Sequence, residues 1–358
     1  MKILTVVGAR PQFVKAAAVS REILTRTGIE EILLHTGQHY DDQMSDVFFR
    51  EMAIPKPIMN LSVRSSLHGE MTGEMLAGIE KIVLSEKPDA VMVYGDTNST
   101  LAGALAAAKL HVKLIHIEAG LRSFNMRMPE EINRVLTDRV SSLLCCPTDQ
   151  AINNLKAEGF EKMPITIVKT GDVMQDAALF YAEKAPMHSQ ILQKIKLDKF
   201  ILCTLHRQEN IDNPERLRNI VAAIDEINHE IPVVLPMHPR TRKVLGLAGY
   251  MPKCHVIDPV GYFDMIELIK HSSLVLTDSG GLQKEAYFFG KFCVTMRDET
   301  EWVELVENKY NVIAGAGHTA IVSSVRAALG REFNASVELY GGGHACENVV
   351  RAIEALLK

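Results

Sequence analysis

Three acidic segments lie in the first half of the chain: Gly95-Asp96-Thr97-Asn98, His116-Ile117-Glu118-Ala119-Gly120 and Pro129-Glu130-Glu131-Ile132-Asn133-Arg134. Asp96 and Glu118 each follow an apolar, strand-like run, so in a parallel sheet both carboxylates can point into the same cleft. Taking a proton from carbon and returning one to another face needs positioned carboxylates, whereas a simple phosphate binder would avoid their mutual repulsion. Asp96 has a second reading as the N-cap of a helix holding Ser99 to Lys109, because Asp is a favoured cap. His116 and Glu118 alternate along one strand and can share a face, but no third ligand accompanies them and no metal is implied.

Two further segments suit phosphate. Gly8-Ala9-Arg10-Pro11-Gln12-Phe13-Val14-Lys15 follows the first strand and opens a helix. Glycine there permits a sharp turn, Pro11 suits a first helical turn, and Arg10 and Lys15 place two cations near a helix N-terminus. Asp278-Ser279-Gly280-Gly281-Leu282-Gln283-Lys284-Glu285 has consecutive glycines that leave backbone N–H groups open at a helix start. Ser279 can add a hydroxyl, and Glu285, one turn on, can accept from ribose hydroxyls or remain a surface charge. Leu205-His206-Arg207 and Pro236-Met237-His238-Pro239-Arg240 each set a histidine and an arginine just after an apolar strand. His206 can be a general acid, a cation beside phosphate, or a structural hydrogen-bonder.

The elements that must position these residues follow from the alternation of short apolar runs with amphipathic stretches, which predicts parallel sheets covered by helices. The strands expected first are Lys2 to Val7, Glu31 to Thr36, Ala90 to Tyr94, Leu114 to Ile117, Leu143 to Cys146 and Ile165 to Lys169. A second series runs through Phe200 to Leu205, Pro232 to Leu235, His255 to Ile257, Leu274 to Thr277, Phe292 to Met296 and Asn311 to Ala314. The fold class is therefore α/β, with two doubly wound Rossmann-like domains facing a cleft. Residues 1–170 form an N-terminal domain joined by a C-terminal helix at 345–358, and residues 171–344 form the second domain. A boundary or hinge is expected near Gly171. The nearly all-alanine stretch Ala102 to Ala108 is expected to pack tightly on a sheet.

At 358 residues the chain is long enough for two cores. Its net charge of −5 gives no broad face for nucleic acid or an anionic membrane, so any anion must be held by local groups. Its apolar runs are strand-sized and the start of the chain leads directly into a strand, which implies a soluble cytoplasmic protein. The six cysteines form no CxxC pair and most lie in or beside apolar runs, as small buried residues do.

Taken in order, the segments GARPQFVK, YGDTNST, HIEAGLRS, MPEEINR, LHRQEN and TDSGGLQKEA resemble the motifs of the non-hydrolysing UDP-N-acetylglucosamine 2-epimerases over nearly the whole chain. The resemblance implies the glycosyltransferase-B architecture, a homodimer contacting through the first domain, and UDP held mainly by the second. It implies no nicotinamide or other cofactor. The family's base removes the C2 proton while UDP leaves C1; UDP then adds back with protonation from the other face. By resemblance Asp96, Glu118, Glu130 and His206 are catalytic. Arg10, Lys15 and Arg134 match cations around sugar and diphosphate; Ser279, Gly280 and Gly281 match the phosphate turn and Glu285 the ribose clamp. His238 joins the substrate-binding set from its place after a second-domain strand.

Ala9 and Gln12 stand where typical members carry GTRPE, and Ser123-Phe124-Asn125-Met126-Arg127-Met128 departs from their aromatic-containing run. Both segments look more like the branch acting on UDP-2,3-diacetamido-2,3-dideoxyglucuronate for surface polysaccharide, with Arg127 available to a C6 carboxylate or simply solvated. A UDP-sugar glycosyltransferase and a non-catalytic nucleotide-sugar sensor are the competing readings; neither needs the acidic set. A hydrolysing epimerase would differ only in letting water reach the intermediate.

Overall fold

Short Val-, Ile- and Leu-rich runs, bounded by glycine or polar turns, form thirteen strands among the described residues, every ladder parallel. The computed structural model describes residues 1–37, 57–65, 67–334 and 337–358, with Arg10 described by its backbone only. These residues divide into two compact units, Met1–Ala177 with Glu338–Lys358, and Ala178–Val337.

In the first unit lie β1 (Lys2–Val7), α1 (Arg10–Leu24), β2 (Glu30–His35), β3 (Met59–Asn60), α2 (His68–Glu86), β4 (Ala90–Tyr94), α3 (Asn98–Lys109), β5 (Lys113–Ile117), α4 (Pro129–Val140), β6 (Leu143–Cys146), α5 (Asp149–Ala157) and β7 (Thr166–Lys169). The strand order is β3-β2-β1-β4-β5-β6-β7. β4 is buried along its whole length, as a central parallel strand covered on both faces must be. Ala102, Ala104, Ala106 and Ala107 of α3 join its core. Gly103 lets that helix approach the sheet, since a Cβ there would lie 3.0 Å from Val93 Cγ1.

The chain passes into the second unit within α6 (Val173–His188). There follow α7 (Ile191–Ile195), β8 (Ile201–Thr204), α8 (Gln208–Ile211), α9 (Pro214–Glu230), β9 (Val233–Pro236), α10 (Pro239–Ala248), β10 (His255–Ile257), α11 (Tyr262–His271), β11 (Leu274–Thr277), α12 (Gly280–Phe288), β12 (Cys293–Thr295), α13 (Val303–Glu307), β13 (Asn311–Ile313) and α14 (His318–Ala328). The strand order is β10-β9-β8-β11-β12-β13. Helix α9 shows why these segments are helical. Asn213 caps its first turn by accepting from the Glu215 and Arg216 amides, Pro214 follows, and Leu217, Ile220, Val221, Ile224 and Ile227 form one buried stripe.

The last helix, α15 (Ala345–Leu357), belongs to the first unit. Asp176 accepts from the amides of Ala345 and Cys346 at its start, and Lys113 Nζ donates to Leu356 O at its end. Gly171, at φ +89°, packs against Tyr340 and Gly341, where any side chain would strike backbone.

Each sheet reverses its strand order once, between β1 and β4 in the first and between β8 and β11 in the second. Loops leaving the carboxyl ends of such neighbouring strands are where doubly wound sheets bind ligands. The loops in question carry GARPQ and GDTN in one unit, and HRQEN and DSGG in the other. Five of the six cysteines are buried and Cys254 is partly so; burial pushes the Cys145, Cys254 and Cys293 thiols up to about 12.

Candidate functional site

In the first unit each strand-end carboxylate is matched to a cation. Lys15, on the second turn of α1, hydrogen-bonds Glu118 just past β5, both side chains being nearly buried. Gly95 makes room for that pair: at φ +62° a Cβ would stand 3.1 Å from Glu118 Oε2 and 3.7 Å from Lys15 Nζ. Glu118 itself holds φ +70°, an unusual conformation for a residue with a side chain and one that clusters at functional sites. Asp96, just past β4, meets Arg134 of α4 at 2.5 Å, and Asn133 Nδ2 donates to the Asp96 carbonyl at 2.9 Å.

Burial pushes the Asp96 carboxyl above its ordinary value; Arg134 and Lys15 oppose this, while Glu118 and Glu130 add to it. Glu118 and Glu130 thus both lie within electrostatic reach of Asp96, as do two cations. A carboxyl raised in this way is suited both to take and to give a proton. The capping role for Asp96 is not what the structure shows. Thr97 caps α3, its hydroxyl accepting from the Thr100 amide at 3.3 Å, which leaves the Asp96 carboxylate to Arg134.

The adjacent acids Glu130 and Glu131 separate. Glu130 is exposed on the first turn of α4, whereas Glu131 is buried and accepts from the Ser123 amide and hydroxyl and the Phe124 amide, fixing the 123–128 segment. His116 and Glu118 do not share a ligand face. Both His116 ring nitrogens are bonded, to Asp138 and to the Gly95 carbonyl, while Glu118 turns to Lys15.

The side chain of Arg10 lies outside the described residues. Gly8 is required by proximity more than by a sharp turn, since a Cβ there would fall 2.0 Å from Thr36 Oγ1 and 2.1 Å from Ser99 Oγ. Gln12, expected to border the sugar, is buried with its amide fully engaged. Oε1 accepts from the Gly8 and Ala9 amides, and Nε2 donates to the Tyr94 carbonyl and Thr100 Oγ1. It ties the loop after β1 to the end of β4.

In the second unit His206 follows β8, with Nδ1 3.1 Å from Oδ1 of Asp278 after β11. Asp278 is fully buried and also accepts from the amides of His206 and Arg207 and from Asn210 Nδ2. Burial pushes this carboxyl up, but the histidine and the backbone donors more than offset it and hold it below the usual range. Half of the His206 side chain stays exposed. Sequence reasoning gave Asp278 no role, although its place in the DSGG turn, directly beside β8, was a signal.

Ser279 stands at the N-cap of α12 with its hydroxyl unused as a cap, and Gly281 is exposed with open space where a Cβ would be. Gly280 is crowded instead, since a Cβ would meet Glu301 Oε1 at 2.5 Å and Arg207 Nη2 at 3.6 Å, so a side chain there would displace the Glu301 carboxylate. Glu285 is buried on α12, and its charge, after burial, helps push the Tyr262 phenol well up. His238 caps α10, its Nδ1 accepting from the Arg240 amide at 3.3 Å, with the ring exposed. Among the described residues no group of three His, Cys, Asp or Glu is arranged to hold a metal ion.

The family model described as UDP-N-acetylglucosamine 2-epimerase matches residues 21–354. A Pseudomonas aeruginosa protein named UDP-2,3-diacetamido-2,3-dideoxy-D-glucuronate 2-epimerase is 57% identical over 357 residues, 99% of this chain and 100% of that protein. A UDP-N-acetylglucosamine 2-epimerase of Methanocaldococcus jannaschii is 42% identical, covering 99% of each. The crystal structure of Methanocaldococcus jannaschii UDP-GlcNAc 2-epimerase in complex with UDP-GlcNAc and UDP matches with a TM-score of 0.90 at 41% identity, covering 99% of this chain and 100% of that one.

Proposed function

Because the chain belongs to the UDP-N-acetylglucosamine 2-epimerase family, we propose that it interconverts a UDP-sugar and its manno isomer at C2 without net hydrolysis. The observation that carries this is Asp96 with Glu118 and Glu130 in electrostatic reach of it, and Lys15 and Arg134 paired to Glu118 and Asp96. One carboxylate takes the C2 proton as the C1–O bond to UDP breaks, giving a 2-acetamido glycal. UDP re-adds at C1 while a carboxylic acid returns a proton to the opposite face of C2.

Charge builds on the β-phosphate as C1–O breaks, so the leaving group needs donors as much as the proton needs a base. In this reading the Ser279-Gly280-Gly281 turn holds the diphosphate, His206 donates to it, and Glu285 takes the ribose hydroxyls. Arg10, Lys15, Arg134 and His238 complete the substrate-binding set. Asp278 engages Nδ1 of the half-exposed His206 ring, which leaves Nε2 for the leaving group.

The substrate we favour is UDP-2,3-diacetamido-2,3-dideoxyglucuronate, on the 57% identity to the relative of that name against 42% to a UDP-N-acetylglucosamine enzyme. No described helix is long and apolar enough to cross a membrane. The reading makes the protein a cytoplasmic homodimer, joined through its first unit, that supplies a surface polysaccharide precursor. The test is proton NMR in D2O with each of the two nucleotide sugars. Deuterium entering C2 of one sugar as its manno isomer grows supports the reading and names the substrate; no exchange with either overturns it.

A further inference from the structure

Asp138 is fully buried on α4, eight residues beyond Glu130 on the same helix. Its Oδ1 lies 2.7 Å from His116 Nδ1, and His116 Nε2 lies 2.7 Å from the carbonyl of Gly95, the residue before Asp96. Its Oδ2 accepts from the amide of Gly120, two residues beyond Glu118, at 3.2 Å, and from Arg122 Nη1 at 2.7 Å. One buried carboxylate, on the helix that carries Glu130, is therefore bonded, directly or through one histidine, to the segments that carry Asp96 and Glu118.

Both His116 ring nitrogens face acceptors, the Asp138 carboxylate and the Gly95 carbonyl, so the ring bridges the helix to the loop after β4. Burial pushes the Asp138 carboxyl up, but His116 and Arg122 more than offset this and hold it below the usual range. Arg122 is closed off by Glu158, at 2.6 and 2.9 Å, and by the Leu121 carbonyl. Arg122 thus lies between two carboxylates, Asp138 and Glu158.

Such a network is a poor device for stability alone, because apolar packing of the same volume often does as well. Directional bonds to the main chain at Gly95 and Gly120 do what apolar packing does not: they fix the positions of the Asp96 and Glu118 turns. The second turn needs that restraint, since Glu118 holds a φ of +70°.

We propose that Asp138, acting through His116 and its bonds to Gly120 and Arg122, is a positioning residue that sets Asp96, Glu118 and Glu130 in register, so that UDP elimination and re-addition stay coupled. The inference rests on the epimerase reading above.

The test compares wild type with Asp138→Asn and Glu158→Gln in D2O, following C2 deuteration, manno product, and free UDP with the released glycal. Thermal melting and UDP affinity are recorded alongside. For Asp138→Asn the expected result is kcat lower by about 100-fold, the scale of a misplacement near 1 Å, with UDP affinity within about 3-fold of wild type. A larger share of its turnovers ends in free UDP and glycal. Glu158→Gln alters a side chain 25% exposed and loosens only Arg122, so it keeps the test open if Asp138→Asn does not fold; it shifts the same partition by a smaller factor. A lowered melting temperature with wild-type kcat per UDP-binding site and no glycal, in either folded variant, overturns the proposal. Wild-type protein without C2 exchange sinks the epimerase reading and this inference together; exchange in wild type with an unchanged partition sinks the inference alone.

Discussion

Arg134 Nη2 stands 2.5 Å from Asp96 Oδ2, bringing a cation from the first helical turns of α4 onto a carboxylate at the end of β4, 38 residues earlier in the chain. That contact opposes the burial of Asp96 and sets how far its carboxyl departs from an ordinary aspartate.

The sign of a pH effect follows. If Asp96 must be ionised to accept a proton, the acid limb of kcat/KM lies above the ordinary aspartate value, because burial raises it. Arg134→Met removes a lowering influence and moves that limb upward. Asp96→Asn should cut turnover by orders of magnitude while UDP affinity persists. A pH–rate profile that does not move in Arg134→Met counts against this account.

Gly95→Ala combines a backbone at φ +62° with a Cβ 3.1 Å from Glu118 Oε2. We expect a loss of about 1–2 kcal/mol in stability from the backbone alone. The pressed Lys15–Glu118 pair should lower kcat beyond what the fraction folded explains. Denaturant melts read beside kcat separate the two effects.

Gln12→Glu probes whether position 12 reads the substrate. Its amide donates inward to Tyr94 and Thr100, so an ionised carboxylate there loses two donors and faces a carbonyl, costing about 1–3 kcal/mol. A carboxyl whose folded-state pKa is raised contributes stability below its unfolded value and loses it as pH rises, so the variant should recover toward acid pH. The ratio of kcat/KM for the two nucleotide sugars should stay as in wild type. A changed ratio would restore Gln12 as a specificity residue.

Arg127 is exposed, and its amide is held by Asn125 Oδ1 in the segment that Glu131 fixes. If it meets a C6 carboxylate, Arg127→Gln should raise KM for the diacetamido uronate by about 10-fold, a charge-assisted hydrogen bond's worth, and leave UDP-GlcNAc unaffected. Equal effects on both sugars would assign Arg127 to solvent or to the diphosphate.

The strands were legible because apolar period and turn residues are local properties. The strand reading matches the structure to within a residue or two at each end, apart from the two-residue β3. The acids, the glycine turns and their order were likewise written in residue type. What the sequence by itself left open was who faces whom. Gln12 and Lys15 sit on the same helix, yet one turns inward to Tyr94 and the other to Glu118, which lies 103 residues away. Asp278 and His206 are 72 residues apart in sequence and meet only because β8 and β11 are neighbours. Asp138 ties its helix to two strand-end loops through bonds that no periodicity encodes. Local pattern fixes which residues lie at strand ends. The pairing of those ends, and with it each charge's partner and burial, exists only once the sheets have assembled.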